Sequence, residues 1–179
     1  ELPVGDMPDQ QLSPHTLFTD HHERIFITAY RVSGSVQDAE DVLQSIFLRL
    51  IQEQERANVG INPESYLCRA AINASLDLVR SRGRRQMVDL DDSEDEVRSE
   101  APPTDIDVYR SEQRRRIRAA MMTLNHREAE IFALRHFEDF RNSQIAELLD
   151  TSVSSVAVTL HRAREKLQSQ LREYEGETK

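Results

Sequence analysis

The chain has 179 residues, 38% of them hydrophobic, with 23 Lys plus Arg against 32 Asp plus Glu and a formal net charge of −9. That length suits one ordinary domain or two small ones. No stretch approaches the ~20 apolar residues needed to span a bilayer, and Glu1 to Pro14 lacks the apolar run of a secretory signal. A single cysteine, Cys68, excludes an internal disulfide framework and a multi-cysteine zinc site, and five glycines leave little room for a phosphate-cradling loop. A cytoplasmic, reducing setting is the expectation, with no cofactor, no metal and no enzymatic activity.

The charge is unevenly spread. Residues 1–15 carry −3, residues 16–87 balance nine acids with nine bases, residues 88–107 carry −8, and residues 108–179 carry +2. Of the 23 basic residues 21 are Arg, whose planar fork suits phosphates and base edges. The acidic stretch holds few large apolar residues and a Pro-Pro pair, so it reads as a mobile linker. The expected fold is all-α, with two small helical domains joined by an acidic flexible linker and a helix-turn-helix in the C-terminal one. The expected division is a tail over 1–15, a first module over 16–87, the linker over 88–107, a second module over 108–175 and a short tail over 176–179.

In the first module, a helix from about Thr16 to Ser33 carries Leu17, Phe18, Ile25, Phe26 and Ala29, and Gly34 ends it. Next, Ala39, Val42, Leu43, Ile46, Phe47, Leu50 and Ile51 fall at helical spacing and form one apolar stripe, with Ser35 or Asp38 as the cap. A third helix opens at Asn62-Pro63, a cap followed by proline at the first helical position, with Leu67, Ala70, Ala71, Ala74 and Leu78 on one face. Its other side is more informative. Asn73, Asp77, Arg80 and Arg84 lie within about 60° of arc at ~100° per residue, and Arg82 and Arg85 widen the positive end. Two readings fit: a solvated face with cations at a helix C-terminus, or a helix that contacts nucleic acid.

In the second module, Val108 to Leu124 predicts an Arg-rich helix, and Asn125 caps another from about His126 to Phe137. A short helix from Ser143 to Leu149, a turn at Asp150-Thr151-Ser152 and a longer helix from Ser152 or Val153 make a helix-turn-helix pattern. The long helix buries Val153, Val156, Leu160, Ala163, Leu167 and Leu171. Ser155, Val158 and Arg162 fall on its far side, flanked by Ser154 and His161. Serine and arginine can hydrogen-bond base edges and valine can touch a thymine methyl; a plain helical hairpin is the alternative.

Among the other signals, His21 and His22 lack partners at metal-ligand spacing and read as helix-surface histidines. Cys68 sits beside the apolar stripe and reads as a small buried hydrophobe. The carboxylate pair Asp91-Asp92 lies in the linker, where nothing holds a catalytic geometry.

Three blocks, DAEDVLQSIFLRL (Asp38 to Leu50), PESYLCRAAINASLDLVRSRGRR (Pro63 to Arg85) and LNHREAEIFALRHFEDFRNSQIAELL followed by HRAREKL, stand in this order across the chain. Together they resemble the extracytoplasmic-function (ECF) class of the sigma-70 family of bacterial RNA polymerase sigma factors, over about Thr16 to Leu171.

The resemblance implies that the Asp38 to Leu50 helix docks on the polymerase clamp helices through Asp41, Gln44, Ser45 and Arg49. It implies that Asn73, Asp77, Arg80, Arg84 and Arg85 read the −10 element, with the loop from Arg56 to Asn62 helping to hold an unstacked base. Ser154, Ser155, Val158, His161, Arg162 and Arg164 would serve the −35 element, Arg162 at base edges and Arg164 at a phosphate. The implied partners are core RNA polymerase (clamp helices and flap), promoter DNA and an anti-sigma factor, the free chain being a monomer or a one-to-one pair with that inhibitor. The linker would thread the positively charged template and RNA-exit channels.

Several positions depart from the family pattern. Ser45 stands where Glu is usual, Tyr66 where Trp is common, and Asp150 where a turn glycine is common. SSVAVTL, from Ser154 to Leu160, replaces GTVKSRL. The loss of two basic residues there implies an unusual −35 sequence or weaker reliance on that element. A sigma-like decoy that only sequesters an anti-sigma factor is the alternative function.

Overall fold

The computed structural model describes residues 13–52, 62–86 and 105–176, and the side chains within them other than those of 84–86, 105–110 and 173–176. Residues 1–12, most of the Arg56 to Asn62 loop, nearly all of the acidic stretch and the last three residues lie outside the described residues, as do the side chains of Arg84 and Arg85. Seven helices are described, with no strand among the described residues: α1 (Pro14–Ser33), α2 (Val36–Gln52), α3 (Pro63–Gln86), α4 (Asp105–Met121), α5 (His126–His136), α6 (Asn142–Leu148) and α7 (Val153–Gly176).

Local chemistry sets most boundaries. Ser13 caps α1 by accepting from the Thr16 N–H at 3.1 Å, with Pro14 following at the first helical position. Gly34 ends α1 in the left-handed region (φ 76°) and donates its N–H to the Tyr30 carbonyl. Ser35 Oγ accepts from the Asp38 N–H at 3.2 Å, and Asn62 Oδ1 accepts from the Ser65 N–H at 3.1 Å. Asn125 and Glu128 form a reciprocal capping box at the start of α5. Asp150, at φ 47°, turns the chain between α6 and α7, and Ser152 Oγ caps α7 by accepting from the Ser155 N–H at 3.1 Å.

The helices α1, α2 and α3 bury Leu17, Ile25, Ala29, Ala39, Val42, Ile46, Phe47, Leu50, Leu67 and Ala71 in one cluster. The second cluster is larger and crosses the sequence boundary. Val32 of α1 and Cys68, Ile72 and Leu76 of α3 join Met121, Leu124, Ile131, Leu134, Ile145, Val156 and Leu160 in a continuous core. Helix α3 is therefore buried on two sides, against α1 and α2 and against α5. Fully burying side chains of this size stabilises by roughly 1.5–3 kcal/mol each, which makes this seam a substantial apolar interface.

Two stripe positions differ from the helical-wheel reading. Ile51 is 56% exposed and Val153 is 50% exposed. Each lies in an end turn of its helix, where no other described element buries it.

Candidate nucleic-acid and polymerase interfaces

Three faces carry the residues singled out in the sequence. On α2, Asp41, Gln44, Ser45 and Arg49 all reach the surface, and Ser45 Oγ donates to the Val42 carbonyl at 2.9 Å. Leu48 (57% exposed) and Ile51 stand beside them, so this face combines polar groups with two large apolar ones. The sequence reading assigned Ile51 to the core and passed over Leu48. The signal was present: positions 41, 44, 48 and 51 follow helical spacing on the side away from Val42, Ile46 and Leu50.

On α7, Ser154, Ser155, Val158, His161, Arg162 and Arg164 are all exposed, while Val156, Leu160, Ala163 and Leu167 are buried beneath them. Thr159 Oγ1 donates to the Ser155 carbonyl at 2.8 Å, so it serves its own helix. Ser152 shares its hydroxyl with Ser154 at 3.0 Å and Ser155 at 2.8 Å. His161 lies 3.4 Å from Glu165. Lys166 clamps the Glu128 carboxylate at 2.7 and 2.8 Å, tying α7 to the start of α5. Burial alone would raise the Glu128 pKa, but that clamp, the Asn125 N–H and the charges of Lys166 and Arg162 outweigh it and hold the group below its ordinary value.

Beside this face lies an open hollow of about 280 Å³ lined by Arg135, Arg141, Asn142, Ala157, Leu160 and Arg164. Arg135 and Arg141 were not singled out in the sequence, because Arg135 lies on α5 and Arg141 just before α6, and only the helix-turn-helix packing brings them beside Arg164. Burial and the positive charges of Arg164 and Arg135 push the His136 pKa down, outweighing Asp139.

On α3, the Asn73, Asp77 and Arg80 face meets α5 in a continuous hydrogen-bond chain. Asn73 Nδ2 donates to Glu130 Oε1 at 2.9 Å. His126 Nε2 lies 3.1 Å from Asn73 Oδ1, and Arg80 Nη1 lies 3.2 Å from His126 Nδ1. Arg80 Nη2 donates to the Leu124 carbonyl at 2.9 Å. The His126 tautomer that satisfies both partners carries its proton on Nε2. Asp77 stays largely in solvent, 3.7 Å from His126 Nδ1.

Glu130 is only 3% exposed. It also accepts from Arg69 Nε at 2.8 Å and Arg127 Nη1 at 3.2 Å. Burial would raise its pKa, yet the hydrogen bonds from Arg69 and Asn73 and the charges of Arg69 and Arg127 hold it below the ordinary value.

The same seam has a second buried carboxylate. The Glu138 side chain is 1% exposed and is reached by Arg24 and Arg31 of α1, each at 3.3 Å. Arg31 also donates to the Phe137 carbonyl. Cys68, fully buried, lies 3.7 Å from Glu138 Oε2 and 3.9 Å from Thr28 Oγ1. Burial and the Glu138 charge push its thiol pKa up to about 11, so it is held as a neutral thiol.

Arg82, read from the sequence as part of the positive end, turns the other way. It pairs with Asp38, a carboxylate buried at the start of α2. His22 stacks on Phe18 with ring centroids 5.0 Å apart, on the α1 surface. Among the described residues no group of three His, Cys, Asp or Glu is placed to hold a metal ion, and no helix is long and apolar enough to cross a membrane.

An all-helical chain with a helix-turn-helix, a polar and apolar docking face and a second arginine-bearing helix defines the class. Two family models match it: "Sigma-70 region 2" over residues 17–85 and "Sigma-70, region 4" over residues 114–167. The chain belongs to the ECF subfamily of the sigma-70 family. It is 30% identical over 162 residues to the ECF RNA polymerase sigma factor SigE of Mycolicibacterium smegmatis, covering 90% of this chain and 63% of that protein. It is 25% identical over 161 residues to the ECF RNA polymerase sigma factor SigW of Bacillus subtilis, covering 86% of each. The chain thus spans less than two thirds of the mycobacterial relative. The fold is also similar to that of the sigma factor RpoE of Bartonella quintana, solved with the anti-sigma factor NepR. That likeness has a TM-score of 0.54 and 20% identity, over 87% of this chain and 94% of that one.

Proposed function

We propose that this chain is an ECF-type RNA polymerase sigma factor, which binds core RNA polymerase and directs promoter recognition, DNA melting and transcription initiation. The observation that carries the reading is the presence of both matched regions, in order on one chain, each bearing a face of the required chemistry. The α2 face docks on core polymerase through Asp41, Gln44, Ser45 and Arg49, with Leu48 and Ile51 supplying apolar area. The α3 face, Asn73, Asp77 and Arg80 with Arg84 and Arg85, reads the −10 element. The α7 face reads the −35 element: Arg162 and Val158 address base edges, Ser154, Ser155 and His161 flank them, and Arg164 with Arg135 and Arg141 seats a backbone phosphate.

The chain works by binding, with the chemistry left to the polymerase, and its place is wherever the polymerase is. An anti-sigma protein is the proposed partner of the free chain; the inhibitor-bound Bartonella neighbour supports this. The 16–87 and 108–175 division is proposed as the pair of functional domains.

The test is in vitro run-off transcription with purified core polymerase on a promoter library, with and without the chain. Chain-dependent start sites are expected. Folded protein that fails to bind core polymerase would overturn the reading and favour the decoy.

A further inference from the structure

The first two turns of α7 present a face without a cation. Ser154, Ser155, Ala157 and Val158 are exposed there, and the first basic side chains on that side, His161 and Arg162, come about a turn later. The polar groups around Val158 are engaged within the chain. Ser154 and Ser155 Oγ both lie against Ser152 Oγ, at 3.0 and 2.8 Å, and Thr159 Oγ1 donates to the Ser155 carbonyl. His161 lies 3.4 Å from Glu165. Val158 itself is 49% exposed. At ~100° per residue it stands midway between Ser154 and Arg162, about 40° from each, and opposite the buried row of Val156, Leu160 and Leu167.

A lone exposed valine is ordinary on a protein surface, but this one occupies the centre of the face read as entering the major groove. The base edges there are lined with hydrogen-bond donors and acceptors, and covering one with an isopropyl group takes it out of water without a partner. The thymine C5-methyl is the apolar group that groove offers. We infer that Val158 is a specificity-determining residue that reads the methyl of a thymine in the −35 element. The sequence this chain selects therefore has a thymine, on one strand or the other, beneath Val158. The inference deepens the reading of α7 as the −35 helix and rests on it. Ala157 adds only a methyl beside Val158, and Thr159 is turned to its own helix, so neither competes for that base edge. Arg135, Arg141 and Arg164 stand to one flank, around the hollow, where they hold the backbone and leave the bases to Val158 and Arg162.

The test uses holoenzyme assembled from the full chain and core polymerase. Preferred duplexes are selected from a library randomised upstream, and each thymine of the selected element is then replaced singly by deoxyuridine, which removes only the methyl. Binding is read by competition against the labelled parent duplex. At one thymine position the replacement should weaken binding by about fourfold, the worth of roughly one buried methyl group. With Val158→Ala, thymine and deoxyuridine should bind equally at that position and the preference for thymine there should vanish. Val158→Ile, which keeps a branched apolar tip, should retain the penalty.

Tolerance of deoxyuridine at every thymine, or a thymine preference undiminished in Val158→Ala, would overturn the inference. The reading of α7 would still stand in that case if Arg162→Ala relaxes the upstream preference. An upstream preference that is the same for the wild-type chain, Arg162→Ala and Val158→Ala would overturn the reading of α7, and the inference with it.

Discussion

Helices α3 and α7 look alike in sequence and differ in the folded chain. Each has an apolar face and an opposite side bearing arginine with small polar residues. In α7 that side is open: Ser155, Val158 and Arg162 face solvent, and the helix packs chiefly on α4, α5 and α6. In α3 the corresponding side is half-covered, with Asn73 bonded to Glu130 and Arg80 to His126 of α5. The difference teaches that an exposed-looking helical face is decided by what else the chain brings to it. Burial of Cys68, Ile72 and Leu76 next to Asn73 draws α5 onto α3. The polar chain through Glu130 and His126 then satisfies groups that this approach takes out of water.

The largest expected effect comes from the apolar part of that seam. Ile72→Ala removes a fully buried side chain shared between α3 and the second cluster, and should cost about 3 kcal/mol by denaturant unfolding. Hydrogen exchange should speed up in α3 and α5 together; an effect confined to α3 would mean that the seam is not continuous.

A smaller loss, about 2 kcal/mol, is expected for Arg82→Ala, which strands the buried Asp38 carboxylate. The thermal midpoint should fall while single-stranded DNA binding barely changes, which separates Arg82 from Arg80. Equal loss of DNA binding would return Arg82 to the reading face.

On the open side of the comparison, Ser152→Ala removes the α7 cap and should cost about 1 kcal/mol. Fraying, seen as faster exchange, should be limited to the first turn of α7.

The most gradual effect is that of pH. Glu130 has a lowered pKa in the folded chain, so its contribution is complete above the ordinary Glu value near ~4.3 and is lost as pH falls through the lowered folded value. The scattering radius should therefore be constant around neutrality and grow on the acid side of that range. Glu130→Gln should shift or flatten that growth; an identical acid transition would assign it to other carboxylates.

Much of the fold was legible because its signals are local. Gly34, Ser35, Asn62-Pro63 and Asn125 each mark a helix end that the structure reproduces within a residue or two. The α7 face was legible for the same reason: one helix carries all of it. What could not be read is long-range pairing. Arg82 with Asp38, Arg24 and Arg31 with Glu138, and Asn73 with Glu130 join residues 44 to 114 positions apart, and helical periodicity carries no information at that separation. The basic hollow at Arg135, Arg141 and Arg164 was hidden likewise, since three helices contribute to it. Ile51 and Val153 depart for a different reason: an apolar stripe predicts burial only where another element arrives to cover it.

The measurement that bears most directly on the account is transcription from a promoter library randomised at both elements, comparing the wild-type chain with Asn73→Ala and Arg162→Ala. The account predicts a division of labour. Arg162→Ala should relax the preferred upstream sequence while core binding and start-site melting persist, and Asn73→Ala should impair open-complex formation while the upstream preference is retained. Identical promoter preferences and melting for all three chains would contradict the assignment of both helices.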